Sequence, residues 1–201
     1  MSVLKKLDSL WERTRYRHYY PQNWFKLRSL HKRYELDFLR YSDMQIMIPR
    51  GRVPDCENCL EICCTGPHSI VSLRLRDIAA LIDAGLEQHI TRGSAGPVLT
   101  QDKTKTCTLL TKDRLCGAYP AWPISCARYP YAVDARNKVV FYAKGCRSHE
   151  QLSSYDANPR TRNLVQAAID SYNERIKDIL LINFAQRELR EIGLMAHIER
   201  K

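Results

Sequence analysis

The chain has 201 residues, 44% of them apolar and 27% charged, with 8 glycines and 9 prolines; it is neither disordered, collagen-like nor low-complexity, and suffices for one ordinary domain, or one domain with a helical appendage. Its formal charge is +10, and the excess is concentrated: residues 1–55 hold twelve basic and six acidic residues, a net +6, against +4 for the remaining 146. No apolar run approaches the roughly 18 residues of a membrane span, and charges interrupt the first eight positions, so no signal peptide is expected and the cytoplasm is the expected compartment.

Val3, Leu4, Leu7, Leu10 and Trp11 recur at helical spacing and predict an amphipathic helix, followed by a basic aromatic run from Arg13 to Tyr20. Pro21 ends or restarts a helix. From Gln22 to about Tyr41, the residues Trp24, Leu27, Leu30, His31, Tyr34, Phe38 and Tyr41 share one face of a second amphipathic helix. Two prolines and a glycine between Ile48 and Pro54 deny the backbone a regular ladder and place a module boundary near residue 50. Ser72 to Gly85 reads as a short helix with Leu75, Ile78, Ala79 and Ile82 inward and Gly85 as its stop. Thr91 to Lys105, with Gly93-Ser-Ala-Gly96, reads as a polar, flexible surface loop lacking a phosphate-binding pattern.

Between Cys107 and Cys146 short apolar pieces separated by turn residues predict two hairpins: Thr108–Leu110 with Leu115–Cys116, and Tyr129–Val133 with Val139–Ala143. Asn158-Pro159 then opens a long helix to about Glu191, with Val165, Ala168, Ile169, Tyr172, Ile176, Ile179 and Leu180 at helical intervals. The expected fold is α+β and mainly helical: a small cysteine-rich metal core with short hairpins, flanked by amphipathic N- and C-terminal helices. Three parts follow: a basic, aromatic helical extension over residues 1–50, a cysteine-cluster metal-binding domain over 51–150, and a long helix packing on it over 151–201.

The chemistry is concentrated in the cysteines. Cys56-x2-Cys59-x3-Cys63-Cys64 packs four thiols into nine residues. A C-x2-C step lets one tight turn present two sulfurs to a tetrahedral ion at about 2.3 Å, so Cys56 and Cys59 are expected to share a metal. Cys63 or Cys64 joins them; the other serves a second site or is a packed thiol. Cys107, Cys116, Cys126 and Cys146 sit at turns and hairpin ends, and eight thiols allow one or two four-sulfur sites. A reducing compartment favours ligation over disulfides. Four thiolates suit zinc or a [4Fe-4S] cluster, a closed structural or redox site rather than a hydrolytic one. Arg128, Lys144 and Arg147 are placed to offset its negative charge, and His68 and His149 are alternative ligands.

Cys56-x2-Cys59-x3-Cys63-Cys64, the helix with Asp77-Ile78, Cys107-Thr-Leu-Leu, Cys116-Gly-Ala-Tyr119, Pro123-Ile-Ser-Cys126 and Tyr129-Pro130 together resemble the CxxCxxCC family of YkgJ-like cysteine-cluster proteins, over about residues 56–149. The resemblance implies a zinc- or iron-chelating domain, often described as an iron-sulfur protein, with the family's cysteines carried by Cys56, Cys59, Cys63, Cys64, Cys107, Cys116, Cys126 and Cys146. Three residues precede the doublet instead of two, and Trp122 and Ala127 stand where the family usually carries arginines, leaving Arg128 as the candidate replacement. A related cysteine pattern occurs in flagellin lysine N-methylases, so the alternative to a structural, redox or metal-handling role is a cluster-dependent protein-modifying enzyme.

Half of the 18 aromatic residues lie in the first 55 positions, interleaved with Arg13, Arg15, Arg17, Arg28 and Arg33. That mixture suits nucleic acid, phosphates held while bases stack, a protein partner, or, less well, a membrane surface. The helical register of the apolar residues favours instead two helices whose aromatics pack on the cysteine domain. No serine elbow, paired-carboxylate motif or methyl-donor glycine loop is recognisable, and an enzymatic role is left undecided.

Overall fold

The computed structural model describes residues 1–47, 52–53, 63–66, 70–142, 150–151 and 159–199. About half of the described residues are helical and the strands among them are few and short, an α+β fold. Its elements are helices α1 (Val3–Thr14), α2 (Trp24–Tyr34), α3 (Leu75–Asp83), α4 (Ile124–Ala127), α5 (Pro159–Phe184) and α6 (Gln186–Glu191), and strands β1 (Gln45–Met47), β2 (Arg52–Val53), β3 (Ile90–Gly93), β4 (Gly96–Leu99), β5 (Tyr131–Asp134), β6 (Val139–Tyr142) and β7 (Glu150–Gln151). β5 and β6 form the predicted hairpin, with Tyr131 opposite Tyr142, and β1 adds in parallel on the other side of β6 with Gln45 opposite Val139. β2 pairs with β7, and β3 with β4.

α1 and α3 fall where the apolar periodicity places them. α1 is closed from outside its own segment: the Asp83 carboxylate, at the end of α3, accepts from the Val3 and Leu4 N–H groups at 2.7 and 2.9 Å. These two N–H groups are among the first four of a helix, which have no partner within it. Leu7 and Leu10 then bury against Leu75, Ile78, Ala79 and Leu81 of α3. Within α3 the predicted inward face is shifted, because Leu81 is fully buried and Ile82 only half so. Gly85 stops the segment at φ +70°, a left-handed conformation that costs glycine nothing.

Four sequence expectations are corrected. The second helix ends at Tyr34 rather than near Tyr41, since Glu35 turns to φ 47° and residues 35–40 form no regular element. α5 enforces that path: the Tyr172 hydroxyl donates to the Glu35 carbonyl at 2.7 Å, and the Asn173 side chain bonds both the N–H and the C=O of Leu39, at 2.9 and 3.0 Å. The expected inward aromatics Trp24 and Phe38 are exposed, while Leu27, Leu30, Leu36 and Leu39 are buried. The supposed loop from Thr91 is a β3–β4 hairpin whose two-residue turn, Ser94-Ala95, is flanked by paired Gly93 and Gly96. The last helix breaks at Ala185 (φ −138°, ψ 29°), where Lys26 takes the Asn183 carbonyl.

α5 is the spine. Val165, Ala168 and Ile169 pack on the β5–β6 face, Ile176 and Leu180 on α2, and Leu181 on the α1–α3 core, which Leu189, Leu194 and Met195 complete. Thr108–Leu110 and Leu115–Cys116 are reduced to a single bridge, Leu110 opposite Cys116, closed by a turn with Arg114 at φ 61°.

Candidate metal centre

Five of the eight cysteines lie among the described residues: Cys63, Cys64, Cys107, Cys116 and Cys126, all free thiols. Cys56, Cys59 and Cys146 lie outside them, as do His68, His149, Lys144 and Arg147. Separate devices bring the five together. The Cys107 N–H donates to the Cys64 carbonyl at 2.8 Å, tying the doublet to the segment after β4. Cys116 is held by its bridge to Leu110 and by the Gly117 N–H, which donates to the Leu109 carbonyl at 2.7 Å. A Cβ at Gly117 would stand 3.1 Å from that carbonyl oxygen, so the Cys116-Gly step needs its missing side chain. Cys126 rides on α4, a single turn.

What fixes α4 is Asp77, whose role the sequence reading missed. One carboxylate oxygen accepts from the Arg74 N–H at 2.8 Å, back across the first turn of α3, and the other from the Ile124 N–H at 2.9 Å, at the start of α4. The Ser125 hydroxyl adds a bond to the Ser72 carbonyl at 2.9 Å. One buried carboxylate therefore caps two helices and sets where Cys126 stands. The signal in the sequence was an acid at the third position of a helix, where it reaches back to the cap. Its second partner lies 47 residues away and has no local signature. Asp178 of α5, also missed, accepts from the Leu75 N–H on the same helix end.

The five thiols sense one another's charge: Cys64 that of Cys63, Cys107 and Cys126; Cys107 that of Cys116 and Cys63; and Cys126 that of Cys63, Cys116 and Cys107. The Cys64 thiol donates to the Cys63 sulfur, holding Cys63 at about 7 and pushing Cys64 up. Burial pushes Cys126 up to about 12, with the neighbouring thiols adding to it, and raises Cys107 as well. Arg128 is the cation nearest in sequence; half-buried, it donates to the Tyr131 carbonyl at 2.7 Å and supports the Cys126 thiolate electrostatically. Such a cluster gathers soft donors, Cys63 the readiest to ionise and its neighbours held protonated until a cation arrives, the donor chemistry of zinc and iron. Among the described residues no three histidine, cysteine, aspartate or glutamate side chains already surround one ion-sized point.

The model of the CxxCxxCC family, described as a "putative zinc- or iron-chelating domain", matches residues 55–158, just over half of the chain. The chain belongs to the CxxCxxCC family. Its match runs from the first cysteine pair across α3, the β3–β4 hairpin and the β5–β6 hairpin to the edge of α5, and so includes Asp77 and both of its helix ends. No curated protein and no solved structure matches the chain. Among the described residues no helix is long and apolar enough to cross a membrane.

Proposed function

We propose that this CxxCxxCC protein holds zinc or an iron-sulfur cluster through its clustered thiolates and serves a structural, redox or metal-handling role in the cytoplasm. The observation that carries the reading is the gathering of Cys63, Cys64, Cys107, Cys116 and Cys126, up to 63 positions apart, into one electrostatic neighbourhood. Cys56, Cys59 and Cys146 complete the ligand pool, within a metal-binding unit over residues 51–150 that the 1–50 and 151–201 segments flank. One centre, mononuclear or cluster, fits a single neighbourhood better than two separated sites. Arg128 balances part of its charge. The zinc form is redox-inert and structural, whereas the cluster form stores an electron.

Anaerobic purification followed by visible absorption and counting of iron, acid-labile sulfide and zinc per chain tests the reading. Matched iron and sulfide in brown protein assigns the cluster. Stoichiometric zinc in colourless protein assigns the structural form. Protein with all eight thiols titratable and no metal above background, even after reconstitution, overturns it.

A further inference from the structure

Over residues 13–34 the chain has seven arginines and lysines and no acidic residue. Five of the six aromatics in that stretch are exposed: Phe25 is 79% exposed, Tyr19 71%, Tyr16 58%, and Tyr20 and Trp24 51% each. The cause is local. Pro21 opens a separate tight turn before α2, and α2 then commits only Leu27 and Leu30 to the core, leaving its first turn outside. Cations already lie over these rings, with the Arg15 guanidinium 4.9 Å from the Tyr16 centroid and that of Arg28 5.4 Å from the Trp24 centroid. Arg13, Arg15, Lys26, Arg28, Lys32 and Arg33 are all exposed.

We propose that this Arg13–Tyr34 face binds single-stranded nucleic acid, its cations on the phosphates and its rings stacked on bases. Charge complementarity selects a polyanion. The kind of apolar residue then selects a strand over a lipid surface. The two aliphatic side chains of the stretch, Leu27 and Leu30, are buried, and every large apolar side chain it exposes is a flat ring. Bilayer insertion rewards any apolar area, Leu and Ile as well as aromatics, whereas base stacking rewards the π-face alone. Beside the rings lies a cavity of about 160 Å³ lined by His18, Tyr19, His31, Asp37 and Phe38 over a floor of leucines. A cavity of about 150 Å³ takes a benzene-sized ring. Burial and the neighbouring His31 push the His18 imidazole down, keeping it neutral, with one donor and one acceptor for a base edge.

The test is fluorescence anisotropy of labelled DNA and RNA strands of about 15 nucleotides with the full chain, across a salt series. Binding is expected to weaken with salt at a log–log slope of about −3, as for four or five neutralised phosphates on a single strand. Trp24→Ala and Tyr19→Ala, both exposed positions, should each weaken it about 5- to 100-fold, with the melting temperature and metal content unchanged. Arg13, Arg15 and Arg28 changed together to Gln should flatten the salt slope. A Trp24→Phe variant should keep binding but lose the fluorescence quenching that stacking on Trp24 causes. DNA and RNA binding both uphold the proposal, and their ratio identifies the strand. It is overturned if neither strand binds at low salt, if the ring variants bind as the parent does, or if only vesicles of anionic phospholipid capture the chain.

Discussion

Replacing Asp77 by alanine separates the site's positioning from the stability of the fold. The substitution deletes two hydrogen bonds, from the Arg74 N–H at 2.8 Å and the Ile124 N–H at 2.9 Å. The two N–H groups left without an acceptor cost about 1–3 kcal/mol each, so the gross loss is about 2–6 kcal/mol. Against it stands the net cost of keeping this carboxylate ionised in its buried place, already offset in part by those two bonds, which moves it from 3.8 to about 6. About two pKa units correspond to about 3 kcal/mol, recovered at neutral pH when the charge is removed. The net cost to the fold is therefore about −1 to 3 kcal/mol, a fall in Tm of at most about 12 °C for a chain of this length. The local effect is larger than the global one. α4 is a single turn, and without Asp77 its remaining side-chain tether to the α3 side is the exposed Ser125–Ser72 bond. Cys126 then loses its fixed position, and metal affinity is expected to fall about 10- to 100-fold, as when an outer-shell partner is removed. Competition against a chromophoric chelator measures the affinity, and a melt on the same preparation measures the fold; Asp77→Asn, which keeps one acceptor, should fall between the parent and the alanine variant. An Asp77→Ala protein that melts within the expected range yet holds its metal as tightly as the parent refutes the argument that this carboxylate positions Cys126.

Three further outcomes follow from the same structure. Because burial raises the Asp77 carboxyl to about 6 from 3.8, the folded chain keeps a proton that the unfolded chain has released. Its contribution to stability is therefore present below about pH 4 and lost as pH rises through 6, up to about 3 kcal/mol; Asp77→Asn should flatten this segment of a urea-denaturation pH profile, and an unchanged profile contradicts the assignment. Leu81, fully buried between α1 and α3, should cost about 2–5 kcal/mol when cut to alanine, read from the urea midpoint, and a loss below about 1 kcal/mol would mean that this core is not close-packed. Removing metal with a chelator should open the cysteine-bearing turns within the Cys56–Cys146 segment to limited proteolysis, because a bound metal cross-links thiols whose turns are otherwise held by a few backbone bonds. The α5 stretch from Val165 to Leu180 should stay protected, its packing being leucine, isoleucine and tyrosine rather than sulfur; equal protection of the cysteine segment with and without metal would contradict a structural role.

Where one helix face or one tight turn decides the outcome, the sequence was readable. Leu7 and Leu10 sit on a repeat that only α1 satisfies, Gly85 marks the end of α3, and Asp134 to Lys138 is a turn by composition alone. Contacts reaching across the chain decided the rest. Nothing near Glu35 announces a left-handed residue; the path is imposed by Tyr172 and Asn173, 137 and 134 positions away. Thr91 to Lys105 is polar because β3 and β4 are half exposed, and solvation hid a regular hairpin behind the look of a loop. Trp24 and Phe38 were assigned inward because periodicity identifies a face without saying whether anything covers it. Around the cysteines the clustering of the thiols along the chain was legible, whereas Asp77 and Asp178 were not, since their work is to receive N–H groups from distant or preceding backbone.

The central position of α5 also imposes an order on synthesis. Leu7 and Leu10 complete their core with Leu181, Leu189 and Leu194, and Leu27 and Leu30 theirs with Ile176 and Leu180. The ribosome delivers those partners about 150 residues later, at 5–20 residues per second an interval of roughly 8–30 s. During that interval α1 can close on α3, which follows it by about 70 residues, but α2 has little surface to close on, and its two leucines travel in water with five exposed rings beside them. The second helix of this protein is therefore among the last elements to be sealed although it is among the first to be made, and Leu27 and Leu30 stay uncovered on the nascent chain until α5 follows.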